Sequence, residues 1–156
     1  MQVFRIAREK YVRDLSGEGA RRYGGRWNRK GTPLLYTAES RSLAIVEYLV
    51  HVPVALAPDD VWIARITLPG GAPVEELKPG RLPAGWNLYP APEALAELGT
   101  AWARANRRLV LKVPSAVVAG EYNLLVNPAH RLFAKVKVLE AEPFEAIKRM
   151  HGRTRG

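Results

Sequence analysis

Residues 23–51 read YGGRWNRKGTPLLYTAESRSLAIVEYLVH, and the succession of patterns in this stretch decides the fold. A glycine pair precedes Arg26, an apolar run at residues 34–38 reads as a buried strand, and Ser40 is a helix N-cap before a segment that is apolar nearly all round. The span carries three unlike groups: the guanidinium of Arg26, the ring of Tyr36 and the carboxylate of Glu47. Paired glycines permit positive φ and close approach to the backbone, so Arg26 can sit on a tight, exposed platform. An isolated GGR is more often a plain turn with a solvated cation, but Trp27 and Asn28 make this one richer. Tyr36 fits ordinary sheet packing, or a ring face offered to a planar base. Such an apolar helix should be largely buried, and Glu47 on it must then face a cavity, pair with a group such as His51 one turn on, or occupy a solvent strip.

Outward from this stretch, residues 3–6 read as an opening strand and residues 9–22 as a polar loop. Residues 61–68 are strand-like. The Pro- and Gly-rich residues 74–90 make a long excursion, with a short helical piece at 75–77 and with Trp86 and Asn87 placed to cover a pocket. Pro92 opens a second helix whose stripe is Leu95, Leu98, Trp102 and Ala105. Strands follow at 107–113 and 134–139, with an Asn-Pro turn at 127–128, a short helix over 144–150 and a basic tail at 151–156. Strands interleaved with two firm helices define one α+β domain, a mixed or antiparallel core with flanking helices, over residues 1–150.

At 156 residues, 47% hydrophobic and 25% charged, the composition is that of one ordinary globular domain. The absence of cysteine excludes disulfides, thiolate catalysis and Cys-ligated zinc, and the three histidines have no ligand spacing, so no metal site is expected. No apolar run is long enough for a membrane span, and the N-terminus lacks a secretory pattern, so the expected location is cytoplasmic. A formal charge of +9 suits an anionic partner but selects no function. Ser115 has no G-x-S-x-G elbow, which argues against a hydrolase triad.

Taken together, GGRWN-x-x-G, LYTAES-x-SLAIVEYL, VPSAVV and NLLVNPAH, in this order along the chain, resemble the RES-domain family, the toxins of RES/Xre toxin–antitoxin modules. The resemblance implies an ADP-ribosyltransferase-like fold that consumes NAD+ as a substrate, with no resident cofactor. It identifies Arg26, Glu47 and Ser115 as the family's arginine, glutamate and serine, and Tyr36 as its tyrosine. On that basis Arg26 grips the pyrophosphate, Tyr36 stacks on nicotinamide, Glu47 stabilises the departing ribosyl cation, and Ser115 orients nicotinamide or ribose. Trp27, Asn123 and His130 are weaker candidates for lining the site. The implied partner is an Xre-type antitoxin that covers the pocket. A homodimer through an apolar patch near Trp62 or Trp102 is compatible with the sequence.

The outcome of such chemistry is NAD+ breakdown by water or phosphate, or transfer of ADP-ribose to a protein, according to which acceptor reaches the ribose carbon. A reading of another class is a basic nucleic-acid-binding module stacking bases on Trp27, Tyr36 and Trp86. It leaves Glu47 unexplained, and no nucleic-acid motif supports it. There is likewise no G-x-G-x-x-G after a strand to support a Rossmann mode of NAD binding.

Overall fold

The computed structural model describes residues 1–146 and 149. Seven strands, β1 (Gln2–Arg8), β2 (Leu35–Ala38), β3 (Val61–Thr67), β4 (Val74–Glu76), β5 (Val110–Pro114), β6 (Tyr122–Val126) and β7 (Lys137–Pro143), form one sheet. Its order is β4-β5-β6-β2-β1-β3-β7, antiparallel throughout except for the parallel pair β4 and β5. Among the described residues the named α-helices are α1 (Glu9–Val12), α2 (Glu18–Tyr23), α3 (Arg41–His51) and α4 (Glu93–Ala105). The expected single α+β domain with a mixed sheet is what forms.

The seam that matters is β1 against β2. These strands share the register pair Phe4–Ala38, whereas β1 and β3 run in register from Gln2–Thr67 to Arg8–Val61. Past Phe4 the two strands part, and the sheet opens there into a cleft. Below the sheet, Val3, Leu35, Ala64, Ile66, Leu109, Val110 and Val126 close one apolar core across the seam. A second core, with Trp27, Leu95, Trp102, Leu111 and Leu125, sits under α4. Trp102 is therefore an interior residue, and Trp62 is half-buried beneath the Arg13 guanidinium at 5.3 Å, so neither builds the outer apolar patch expected of a dimer contact.

Helix α3 starts as the sequence dictates, with the Ser40 hydroxyl accepting from the Leu43 N–H at 3.1 Å. It is less buried than its composition implies. Leu43 and Ala44 pack inward, but Val46 and Val50 remain 38% and 56% exposed, Val50 on the face of α3 that forms a wall of the open cleft.

Four other expectations change. Residues 9–22 hold the short helices α1 and α2, too short to show a 3.6-residue period, and Val12 is their buried anchor. The segment expected to be helical at 75–77 is instead the edge strand β4, drawn out by pairing with Val110, Leu111 and Lys112. The last strand begins at Lys137, because residues 133–135 make a 3-10 turn that carries Val136 into the core. On α4 the buried set is Leu95, Gly99, Thr100, Trp102 and Ala103, while Ala105 is exposed where the helix ends at Asn106. The basic tail at 151–156, and residues 147, 148 and 150 of the expected final helix, lie outside the described residues.

Gly99 shows how tightly α4 fits. A Cβ there would lie 1.8 Å from the Trp27 carbonyl oxygen. Gly99→Ala, which intrinsic helix propensity would favour by about 1 kcal/mol, is therefore expected to destabilise by roughly 1–3 kcal/mol and lower the melting temperature by several degrees. A thermal melt that is unchanged or raised would contradict this packing.

Candidate active site

The cleft at the β1–β2 seam has a volume of about 1120 Å³ and is walled by β1, β2, α3, the turn after α2, Asn87 with Tyr89–Ala91, and the β5–β6 region from Pro114 to Asn123. Each wall owes its place to local sequence. Gly24 takes φ 71°, and Gly25 lies so close to Tyr36 that a Cβ would stand 2.7 Å from the phenol oxygen. The two glycines thus serve different needs, one a left-handed turn and the other a close approach. Tyr36 fixes the turn through its hydroxyl, which accepts from the Trp27 N–H at 3.0 Å and donates to Asn28 Oδ1 at 2.6 Å. Burial pushes the Tyr36 phenol well above its ordinary pKa, so it remains a donor. From the other side, Thr100 Oγ1 of α4 accepts from the Arg29 N–H at 2.9 Å, and Glu97 pairs with the Arg29 guanidinium.

Arg26 projects from this clamped turn. Its Nη1 donates to the carbonyls of Trp86 at 2.7 Å and Leu88 at 3.1 Å. Burial lowers its pKa, and the negative field of Glu47 works in the opposite direction. A guanidinium stays charged under either influence.

Glu47 is half-buried on α3 and faces the cleft. One of its oxygens, Oε1, accepts from Ser115 Oγ at 2.7 Å and from Asn123 Nδ2 at 2.7 Å. Ser115 itself accepts from the Val117 and Val118 N–H groups at 3.0 and 2.9 Å, which turns its single proton towards Glu47. The result is a carboxylate with Oε1 fixed from behind and Oε2 available to a ligand. His51 does not pair with Glu47; its ring lies 5.9 Å from that of Tyr89 at 46°.

Of the residues expected at the site, Arg26, Trp27, Tyr36, Glu47 and Asn123 line this cleft. Ser115 is 3% exposed and stands behind Glu47. Trp27 is 3% exposed, its ring belonging to the core under α4. His130 is buried beyond the far end of β6 from Asn123, its Nδ1 accepting from the Leu132 N–H at 3.1 Å, and it is not a wall of the cleft. The sequence reading missed Arg5, Tyr48, His51 and Tyr89 as walls. Arg5, a charge inside the apolar opening strand, was the one visible signal; its Nη1 donates to the Asp14 carbonyl at 2.8 Å. Among the described residues there is no group of three or more His, Asp or Glu placed to hold a metal, and no helix long and apolar enough to cross a membrane.

A splayed mixed sheet with an arginine and a braced carboxylate lining one cleft defines this as a single-domain α+β protein. The sequence model of the family described as RES domain matches residues 2–147. The chain belongs to the RES domain family. It is similar to the Prs ADP-ribosylating toxin of a Sphingobium species, 42% identical over 126 residues that span 80% of this chain and 78% of that protein. It is also similar to the Toxin Res of Yersinia enterocolitica, 37% identical over 134 residues that span 85% and 88%. Among solved structures, the crystal structure of the M. tuberculosis MbcT–MbcA toxin–antitoxin complex contains a chain of the same fold. It superposes with a TM-score of 0.72 at 20% identity, over 97% of this chain and 88% of that one.

Proposed function

We propose that this chain is the toxin of a toxin–antitoxin module and acts in the cytoplasm by breaking the nicotinamide–ribose bond of NAD+. The observation that carries the reading is Glu47, held on one oxygen by Ser115 and Asn123 and presenting the other to a cleft that also contains Arg26. The names of its relatives, an ADP-ribosylating toxin and a Toxin Res, support it.

In this mechanism the N–H groups of Arg26 that are not used on backbone carbonyls hold the pyrophosphate, and the ring of Tyr36 packs on nicotinamide. The C1′–N bond breaks with its electron pair leaving on nicotinamide. Positive charge develops on the ribose, where Glu47 Oε2, bonded to a ribose hydroxyl, opposes it. An acceptor oxygen then bonds to C1′ and releases its proton. Water or phosphate as acceptor gives NAD+ depletion and growth arrest. The second reading, a protein side chain as acceptor, is favoured by the Sphingobium relative's name. An Xre-type antitoxin that covers the cleft neutralises the toxin; its support is the toxin–antitoxin complex in which the same fold is found.

The test is nicotinamide release from NAD+ by the purified chain free of antitoxin, followed by identification of the ADP-ribose product. No release with water, phosphate and candidate proteins all present, and no NAD+ binding, would remove the assignment. Ser115 enters through Glu47: Ser115→Ala takes away one of two donors to Oε1 and is expected to lower kcat about 10-fold with little change in KM, on a net loss of one charge-assisted hydrogen bond. A rise in KM alone would place Ser115 on the substrate instead.

A further inference from the structure

Arg26 uses one nitrogen in a way the proposed reaction does not require. Residues 77–92 connect β4 to α4, and the only regular structure within them is the short 3-10 turn Pro79–Arg81. Trp86 anchors the middle of this excursion by packing against the core under α4, and the backbone turns on itself through Trp86 N–H to Pro83 at 3.1 Å and Leu88 N–H to Gly85 at 3.0 Å. Beyond Trp86 the chain has little apolar burial to hold it: Leu88 is 63% and Tyr89 81% exposed. Yet Asn87, Tyr89, Pro90 and Ala91 form one wall of the cleft. What spans from the opposite wall is Arg26 Nη1, bonded to the carbonyls on either side of Asn87.

We propose that Arg26 is a positioning residue as well as a ligand for anions: its guanidinium straps residues 86–88 across the cleft and so places Tyr89, beside His51, as an aromatic wall for a planar base. Tethering Nη1 to two carbonyls also orients the planar fork, leaving Nη2 and Nε for the phosphate of a dinucleotide. An anion on those N–H groups and the closed segment then reinforce each other, because both need the same guanidinium position. The ligand class rests on the reading of NAD+ as substrate; the strap itself does not.

The closed segment has a readout independent of turnover. Chymotrypsin can cut after Trp86 and Leu88 only when the segment leaves the wall, and cutting follows the population of the open form. Arg26→Gln is expected to be cut there at least about 10-fold faster than the wild type, the change expected when an exposed segment loses its charge-assisted tether. Its thermal melt and cleavage elsewhere should be unaltered. Arg26→Lys, which keeps the charge but not the planar fork, should fall between, and it carries the test if Arg26→Gln fails to fold. Cleavage at the wild-type rate in the folded variant overturns the strap.

The coupling is read in Glu47→Gln protein, where NAD+ should persist. There NAD+ should slow cleavage at 86–88, and an additional Arg26→Gln change should abolish that protection. If NAD+ binds but gives no protection, the coupling is wrong although the strap stands. If NAD+ does not bind at all while Arg26→Gln still speeds cleavage, the strap stands and the substrate reading fails. For the aromatic wall, Tyr89→Ala should raise KM severalfold in the wild type and add little in the Arg26→Gln background, since the strap would already be lost. Fully additive effects would separate Tyr89 from Arg26.

Discussion

Glu47→Gln is expected to lower the rate of nicotinamide release by roughly 10²–10³-fold while changing the affinity for NAD+ only a few-fold. The choice of glutamine follows from the geometry. Its carbonyl oxygen can take the place of Oε1 and still accept from Ser115 and Asn123, both at 2.7 Å in the native protein, so the back of the site stays satisfied. What disappears is the negative charge on the cleft side. That charge matters most when the C1′–N bond is nearly broken and the ribose is cationic, and little in the ground state, where nicotinamide carries the positive charge farther away. Loss of rate without loss of binding is the signature of an interaction made in the transition state. Alanine would be a poorer probe, because it leaves two donors facing an empty space and mixes a stability cost into the rate. Should Glu47→Gln raise KM and spare kcat, Glu47 would be a binding residue only, and the mechanism would need another source of charge stabilisation.

The parts of this molecule that could be read from sequence are those whose cause is local. The N-cap at Ser40 and the apolar run after it mark α3 locally, and β2 and β3 are announced by their apolar residues. Arg26, Tyr36 and Glu47 were legible as a group because they fall within one stretch, and all three line one cleft. What was not legible depends on pairing at a distance. An apolar helix looks the same in sequence whether it is sealed in a core or forms a cleft wall, so the exposure of Val46 and Val50 could not be foreseen. Whether Arg5 reaches the cleft depends on β1 parting from β2 after Phe4, which the residues of β1 alone do not specify. Ser115 sits 68 residues from Glu47, and only the fold shows its proton directed at the carboxylate. Likewise β4 is a strand because β5 lies beside it, not because its own three residues prefer to be extended.

The largest expected effect on stability belongs to Asn28, which neither lines the cleft nor bonds to Glu47. It is 1% exposed, and its Nδ2 donates to the carbonyls of Ala20 at 2.8 Å, Thr32 at 3.1 Å and Arg29 at 3.2 Å, while its Oδ1 accepts from the Tyr36 hydroxyl at 2.6 Å. One buried amide therefore gathers the end of α2, the turn bearing Arg26 and the approach to β2. Asn28→Asp keeps the shape and reverses the hydrogen-bonding sense on one side, bringing a carboxylate oxygen against three carbonyl oxygens. The expected cost is about 3–5 kcal/mol, the range for a buried charge left without a partner, and a fall in melting temperature of roughly 10 °C or more. The sign of its pH dependence follows from burial. The folded state disfavours the ionised form, so the introduced carboxyl has a raised pKa when folded. The variant's deficit relative to the wild type should be smallest below the unfolded pKa of about 3.9 and grow as pH rises above it, levelling off once pH exceeds the folded value. Part of the deficit should persist in acid, since a carboxyl offers one proton where the amide offers two. Because this turn carries Arg26, the variant should also lose the protection of residues 86–88 and bind NAD+ more weakly, even at temperatures where it remains folded. A variant that melts with the wild type across this pH range would show that the turn is held by Tyr36 and α4 alone, with the amide of Asn28 dispensable.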